Sequence, residues 1–510
     1  MADYGRGDGA PVEFPRLVTP DQPVSGLHDL QAVSHDIQPG IRAEIRFSGD
    51  VFETEDQRNW IDASFKTYCT PLRIPYPLEV KAGHRIRQTV TLRLLTAAQL
   101  KPAPTTADEP AQTIQASFRG GRPVPTLGLG TASHGGPLTA REGGLLSALR
   151  CRHLRVDIRL DDSGWPVKLL AAANDAAALA AGLEVAVHVA TGDPAPLGRL
   201  ARELAGTVVR PVRILVYRVG KNSTDDETLA LARSAFASLA VPIGAGTDAD
   251  FYQLNTCRPP PARADLICWS MNPQVHACDR ASLAETPTAI PVQIESARAY
   301  FPGQPLVVSP ITLKPRFNPV ATEPEAPAAP GELPPQVDAR QLSLFGATWT
   351  LSVLSHLAQA GAASATLFET TGWRGVMETA AGSAVPARFP SRAGQVFPLY
   401  HVLADIGEFA DGEVLGGRAE DPESVATLLL RKGSALRLLL GNLTPRRQTA
   451  RLVDFPPGTW IRRRLDLATA DAATAHPAGW RTGAGESLPF TVMPAELALE
   501  PFSYVALTLP

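Results

Sequence analysis

The 510-residue sequence contains no long uninterrupted apolar run. No stretch approaches the roughly 18 uncharged apolar residues that a membrane-spanning helix requires. The first residues, MADYGRGDGAPVEF, also lack the basic segment followed by an apolar segment that marks a secretory leader. We therefore expect a cytoplasmic protein without a membrane partner.

Cysteine is scarce, and its spacing matches no metal or redox motif. Five cysteines occur without a CxxC pair: Cys69, Cys151, Cys257, Cys268 and Cys278. An odd count without a leader indicates reduced thiols. The HxH, HExxH, phosphate-loop, GxGxxG and GxSxG patterns are also absent. We predict no metal and no other cofactor, although single histidines on converging strands could still assemble a metal site.

Lysine and arginine are scattered, and the formal net charge is only −3. A protein that binds nucleic acid or an anionic membrane needs a concentrated basic surface. The charge pattern therefore excludes these partners and favours a small polar ligand. It gives no indication of the oligomeric state.

What the sequence does contain is a three-part pattern. The segment PLRIPYPLEVKAGHRIRQTVTLRLL alternates as a strand does, whereas KPAPTTADEPAQ has no period and is typical of a linker. Alternating strand patterns return after Glu408. We predict an N-terminal β domain over residues 1–100, a linker over 101–121, a catalytic domain over 122–410 and a C-terminal β-sandwich over 411–510.

The central region has eight short apolar runs separated by helical patterns, beginning with PTLGLG and ending with SATLFETTG. Most recur at roughly the 30-residue spacing of a βαβ unit. Parallel strands buried under helices are apolar on both faces, as these runs are. We predict an α/β fold with a central (β/α)₈ TIM-type barrel flanked by two antiparallel β domains; a doubly wound sheet is the alternative.

One connection in this region, VATEPEAPAAPGELPP at residues 320–335, is too proline-rich for a helix. Long loops of this kind are either functional or plain surface excursions. The sequence leaves a mobile lid and a disordered excursion as equal alternatives.

In a TIM-type barrel, working residues lie at the carboxyl ends of the strands. That rule selects a rim rich in carboxylates, hydrogen-bond donors and aromatic groups, which suits a sugar or polyol. The selected residues are Ser133, His134, Asp157, Arg159, His188, Tyr217, Arg218, Asp248, Asn255, Asn272, Gln274, His276, Ser309, Lys314, Arg316, Glu369, Thr370, Thr371 and Trp373.

Several of these residues also have structural interpretations. Asp157 and Arg159 could form an ion pair within the barrel, because buried charges are usually paired. His188 is as compatible with a core histidine as with a ligand-binding one. Glu369 follows the apolar run SATLF directly, so it is expected at the mouth.

The stretch FETEDQRNWIDASFKTYC in the first domain mixes charges of both signs with Trp and Tyr. A charge run is commonly an exposed hairpin. Because pockets form at domain junctions, it could instead be an arm that reaches over the barrel mouth. In that case Glu55, Asp56, Asn59 and Lys66 would bind substrate.

The strings EDQRNWIDASFKTYC, WSMNPQVHACDRASLAET, SPITLKPRFNP, PPQVDARQLSLFGATWTL and FETTGWRG resemble the bacterial D-apionate lactonases of D-apiose catabolism, over about residues 14–510. The resemblance implies a β domain, a TIM-type barrel, a second β domain and hydrolysis of D-apionolactone to D-apionate. Family members resemble this chain only from partway through their first domain, so that domain is expected to lack strands here and to expose sheet edges.

Hydrolysis of a lactone needs a base that takes a proton from the attacking water and hydrogen-bond donors that stabilise the oxyanion. It also needs an acid that protonates the departing ring oxygen. We predict Glu369 as base, Arg159 with Asn272 as oxyanion donors and His276 as acid. Asp157 and Glu295 could replace Glu369. The predicted substrate-binding residues are Glu55, Asp56, Asn59, Lys66, His188, Glu295 and Trp373. The alternatives are a glycoside hydrolase with paired carboxylates, such as Glu295 and Glu369, and a non-catalytic carbohydrate-binding protein.

Overall fold

The computed structural model describes residues 2–6, 13–38, 40–75, 77–97, 111–319, 321, 323 and 325–510. In the N-terminal domain an antiparallel sheet has the order β1-β2-β3-β6, and β4 and β5 form a separate hairpin. The strands are β1 (Ala2–Arg6), β2 (Leu30–Gln38), β3 (Ile41–Ser48), β4 (Glu53–Asp56), β5 (Phe65–Tyr68) and β6 (Thr89–Ala97). A small apolar cluster including Leu27, Val33 and Phe52 joins the sheet to the hairpin.

The predicted linker contains a strand. Residues 101–110 lie outside the described residues, but β7 (Gln112–Pro123) belongs to the C-terminal sheet. It pairs antiparallel with a strand that follows the barrel and parallel with another strand beyond it. The TPA-rich composition of residues 101–112 hid the alternating residues that come after it.

Eight parallel strands close into a barrel, because each pairs with the next and the last pairs with the first. This closure confirms the predicted TIM-type barrel over the doubly wound sheet. The strands are β8 (Thr126–Gly130), β9 (His153–Arg159), β10 (Gly182–Val189), β11 (Pro211–Arg218), β12 (Ile243–Gly246), β13 (Leu266–Met271), β14 (Leu306–Ile311) and β15 (Ser364–Thr371), and a short β16 (Gly375–Met377) pairs with the end of β15.

Helices cover the barrel. They are α1 (Ala140–Ser147), α2 (Trp165–Ala178), α3 (Ala195–Ala205), α4 (Asp226–Ala235), α5 (Phe251–Thr256), α6 (Arg280–Glu285), α7 (Ile290–Tyr300), α8 (Leu344–Ala360) and α9 (Pro398–Gly407). The start of α1 has the capping box of Thr139 and Glu142 that their spacing indicates. Helix α8 is buried along most of its length, because the barrel lies on one side of it and the C-terminal sheet on the other.

The C-terminal domain contains β7 and eight further strands in the order β22-β21-β24-β19-β18-β17-β7-β20-β23. Both ends of this order pack on one apolar cluster, so the sheet folds over itself. The remaining elements are β17 (Glu413–Ala419), β18 (Val425–Lys432), β19 (Ala435–Asn442), β20 (Gln448–Val453), β21 (Gly458–Leu465), α10 (Ala470–Ala475), α11 (Pro477–Thr482), β22 (Glu486–Phe490), β23 (Ala495–Leu499) and β24 (Tyr504–Leu509).

Two sequence features can be compared with this fold. Among the described residues, no helix combines the length and the apolar character needed to cross a bilayer. The proline-rich connection leaves the barrel after β14, and residues 320, 322 and 324 lie outside the described part. Phe317 to Pro319, directly before this connection, line the barrel mouth, and Glu332 within it pairs with Arg388 at 2.8 Å.

Candidate active site

The carboxyl ends of the barrel strands surround a cavity of about 1140 Å³. Residues from the ends of β8, β9, β10, β11, β12 and β15 and from the loops that follow them line its wall. This is the face on which TIM-type barrels carry their active sites, because the βα loops there enclose the large concave surface. The cavity is therefore the candidate active site.

Glu369 lies where β15 emerges at the mouth, and the backbone before it is bent. Phe368 has a positive φ of 53°, and the pairing of β15 with β8 shifts register between Thr366 and Glu369. A bulky residue in this conformation is strained, and such strain concentrates at functional sites. The Glu369 carboxylate accepts a hydrogen bond from the Ser133 N–H at 2.8 Å and pairs with Arg374 at 3.1 Å.

A second group at the mouth, the mouth cluster, consists of Asp157, His188, Asp248, Arg155 and Arg316. His188 Nε2 lies 3.6 Å from one carboxylate oxygen of Asp157 and 3.6 Å from one of Asp248. Arg155 bridges the same carboxylates at 2.6 Å and 2.7 Å. Arg316 pairs with Asp248 and lies 3.5 Å from Asp157. Two carboxylates thus share two guanidinium groups beside one imidazole.

The two arginines of the mouth cluster determine the pKa of Asp157 and whether the cluster can bind a metal ion. Burial alone would raise the pKa of Asp157, but the charges of Arg155 and Arg316 outweigh burial and hold that pKa well below its usual value. The ligand atoms of Asp157, His188 and Asp248 lie within 4.8 Å of one another, close enough to share an ion. However, both guanidinium groups already neutralise the carboxylates, so the cluster does not fit a cation unless they move away.

A buried polar network inside the barrel supports the cluster from below. Glu184 accepts hydrogen bonds from Arg213 at 2.6 Å and from Thr366 at 3.2 Å, and also from Ser309. Burial would raise the pKa of Glu184, but the Arg213 charge lowers it to about 2. Arg155 donates to the Ser309 carbonyl at 2.9 Å. The floor of the cavity is therefore held by satisfied hydrogen bonds, as a precise site requires.

Sequence reasoning selected Asp157 and His188 but missed Arg155, the residue that ties the cluster together. A signal existed, because Arg155 precedes Asp157 by two residues on β9 and strand residues two apart share a face. Arg159, the next residue on that face, lies at the cavity rim and pairs with Asp161 at 3.2 Å.

The structure does not bring Asn272 and His276 to the cavity wall, although both follow β13. Asn272 Oδ1 accepts from the Gln274 N–H at 3.3 Å. His276 Nδ1 lies 2.7 Å from Asp62 Oδ2, and its ring packs edge-on against Trp60. His276 therefore contacts the N-terminal domain, because the loop after β13 turns outward.

The predicted arm docks on the side of the barrel, where Trp60 stacks on Tyr252 of α5 at 4.6 Å. Its polar groups are bonded within the N-terminal domain or to α5, and the arm is absent from the cavity lining. The bonds are Asp56 with Arg58 at 2.8 Å, Lys66 with Glu55 at 2.9 Å, and Asn59 with the Thr19 carbonyl at 2.8 Å and with Asn255 at 3.0 Å.

The last two predicted substrate-binding residues also lie elsewhere. Glu295 is on α7 and pairs with Arg16. Trp373 donates to Ser383 Oγ at 3.0 Å and packs near Phe389. Of the residues with a predicted catalytic or substrate-binding role, the structure thus collects Glu369, Asp157, His188 and Arg159 around one cavity.

Three domains of one protein family match the chain. The TIM barrel domain of D-apionate lactonase matches residues 127–411, its N-terminal domain matches residues 4–97, and its C-terminal immunoglobulin-like domain matches residues 422–507. The barrel match alone covers more than half of the chain. The chain belongs to the D-apionate lactonase family. Family membership supports a lactone hydrolase.

A curated relative agrees with this placement, and two solved structures share the fold. The D-apionate lactonase of Brucella anthropi is 27% identical over 467 residues, which cover 87% of this chain and 72% of the relative. An arabinofuranosidase superposes with a TM-score of 0.55, and the GH51 alpha-L-arabinofuranosidase from Thermotoga petrophila RKU-1 with 0.53. Each is 11% identical and covers 78% of this chain and 100% of its own, so both show the fold alone.

Proposed function

We propose that this chain hydrolyses the lactone of a sugar acid, with D-apionolactone as substrate and D-apionate as product, in the breakdown of D-apiose. The observation that carries the proposal is that Glu369 and His188 open onto one cavity at the catalytic face of a D-apionate lactonase barrel. One residue can take a proton and the other can return one, as hydrolysis of an ester bond requires.

Glu369 is the proposed general base. Its carboxylate is fixed by the Ser133 N–H and by Arg374, so it can hold a water in one orientation. Glu369 takes a proton from this water while the water oxygen bonds to the lactone carbonyl carbon. A positioned base of this kind contributes about 10²–10⁴-fold to a rate.

Arg316 is the proposed stabiliser of the oxyanion that this attack creates. Its guanidinium lines the cavity, and its Nε has no acceptor among the described residues. A fixed positive group in a partly desolvated pocket stabilises a developing negative charge more strongly than water does.

His188 is the proposed acid. When the tetrahedral intermediate collapses, the bond from the carbonyl carbon to the ring oxygen breaks, and His188 protonates the departing oxygen as a hydroxyl. Asp157 and Asp248 each place a carboxylate oxygen 3.6 Å from Nε2 of the imidazole. Histidine suits this role because it exchanges protons near neutral pH.

The hydrolysis converts a neutral lactone and water into a carboxylate and one released proton, so a pH-stat measures it directly. The purified chain is assayed with D-apionolactone, with unbranched aldonolactones and with aryl glycosides, with and without a chelator. Acid release that is fastest with D-apionolactone is expected. Phenol release from the glycosides, or binding without any acid release, would overturn the proposal.

The variant Glu369→Gln tests the proposed base. We expect kcat to fall about 10²–10⁴-fold, while the far-UV circular dichroism spectrum stays unchanged. The matched control is Glu486→Gln, which makes the same change at an exposed ion pair with Arg462 in the C-terminal domain. Near-full activity of a folded Glu369→Gln variant would exclude Glu369 as base.

A further inference from the structure

Among the described residues, one arginine at the barrel mouth differs from the others in having no carboxylate partner. The other guanidinium groups of the mouth are paired: Arg155 with Asp157, Arg159 with Asp161, Arg316 with Asp248 and Arg374 with Glu369. Within the described residues, Arg218 has no carboxylate oxygen within ion-pair distance, and its Nη1 is buried without an acceptor.

Arg218 ends β11 and lines the cavity. The charge of Arg218 acts on Asp225, but the Asp225 side chain is already occupied as the N-cap of α4, where it accepts from the Thr228 N–H at 2.9 Å. Because Arg218 lines the cavity without a carboxylate partner among the described residues, its positive charge is available to an anion bound in the cavity. The missing partner is therefore expected to be an anionic group of the ligand.

We propose that Arg218 binds the carboxylate group of the open-chain sugar acid, the product of the reaction. The inference rests on the proposed lactone hydrolysis, because the lactone is neutral and the carboxylate exists only after the ring opens. A planar guanidinium binds a carboxylate through two parallel hydrogen bonds. The site consequently binds an aldonate more tightly than the neutral polyol of the same skeleton, and the product inhibits the enzyme.

Calorimetric titration of the full chain tests this with two probes. D-apionate carries the carboxylate, and D-apiitol has a CH₂OH group in the same position. The wild type is expected to bind D-apionate at least tenfold more tightly than D-apiitol, and added salt is expected to reduce this preference. In Arg218→Gln we expect the affinity for D-apionate to fall about 10- to 100-fold, with little change for D-apiitol. Arg218→Lys keeps the positive charge but lacks the two parallel N–H donors of a guanidinium group, so its loss of affinity for D-apionate should be intermediate.

The control is Lys168→Gln, which removes a positive charge from an exposed residue of α2 on the same cavity wall. It should leave the preference for D-apionate within about twofold of wild type. The inference fails if the wild type does not prefer D-apionate, if Arg218→Gln retains the preference, or if Lys168→Gln loses it equally. A preference for D-apionate in a chain without lactonase activity would instead overturn the proposed function and leave the binding role of Arg218 intact.

Discussion

Two of the clusters of carboxylates and guanidinium groups among the described residues differ in access. The mouth cluster opens onto the cavity. The second, the interface cluster, lies between α9 and the C-terminal domain and consists of Asp405, Glu408, Arg437, Arg463, Arg481 and Tyr504. Asp405 is fully buried and receives the Tyr504 hydroxyl at 2.6 Å.

The difference shows which features mark a reactive site. Burial would raise the pKa of Asp405, but three arginines lower it, as two arginines lower that of Asp157. Ion pairing is thus common to both clusters. The mouth cluster adds a cavity and an imidazole between its carboxylates. We infer that the interface cluster joins domains, whereas the mouth cluster carries chemistry.

The largest effect is expected from breaking the interface cluster with Asp405→Asn. Arg437 and Arg481 would then keep only Glu408, and Arg463 would lose its carboxylate partner. Removing one partner of a buried charge network costs about 3–5 kcal/mol. Urea denaturation should show this loss in the free energy of unfolding, while kcat of the folded enzyme stays unchanged. The matched control is Asp411→Asn, an exposed pair with Arg152, which should cost at most about 1 kcal/mol. Equal losses in both variants would contradict the comparison.

A smaller effect, on activity rather than stability, is expected from His188→Gln in the mouth cluster. Loss of the proposed acid should lower kcat about 10²-fold, with an unchanged urea midpoint. His84→Gln, at an exposed position of the N-terminal domain, controls for the substitution itself. A variant that keeps its activity but loses stability would make the mouth cluster structural, like the interface cluster.

The smallest effect is a pH dependence from His401, which packs at a tilt against Trp480 beside the interface cluster. Burial lowers the pKa of His401 to about 3, below its unfolded value of roughly 6.5. The unfolded chain therefore binds the proton first, so His401 destabilises the fold as the pH falls below about 6.5. Between pH 6.5 and 5 this costs about 1–2 kcal/mol.

The change in unfolding free energy between pH 6.5 and 5 should be smaller in His401→Gln than in wild type by this amount. His84→Gln again serves as control and should retain the wild-type pH dependence. The same pH dependence in His401→Gln as in wild type would show that His401 is not the group that titrates.

The sequence predicted the barrel because its strands are apolar on both faces, a pattern that depends on local residues alone. It also selected Glu369, Asp157 and His188, because the chain position at the end of a strand defines the mouth. It could not predict the direction of a loop, so His276 was expected at the cavity although it faces Asp62. Partners far apart in sequence, such as Asn59 and Asn255, leave no local signal.

Strand β7 gives the chain an unusual order of assembly. It is made before the barrel, yet its hydrogen-bonding neighbours, β17 and β20, are made only after it. The C-terminal domain therefore joins the segment that enters the barrel to the segments that leave it, through the hydrogen bonds of β7 with β17 and β20. Nearly the whole polypeptide must be synthesised before β7 can pair on both edges. Removal of the last hundred residues would leave the backbone N–H and C=O groups of both edges of β7 without strand partners.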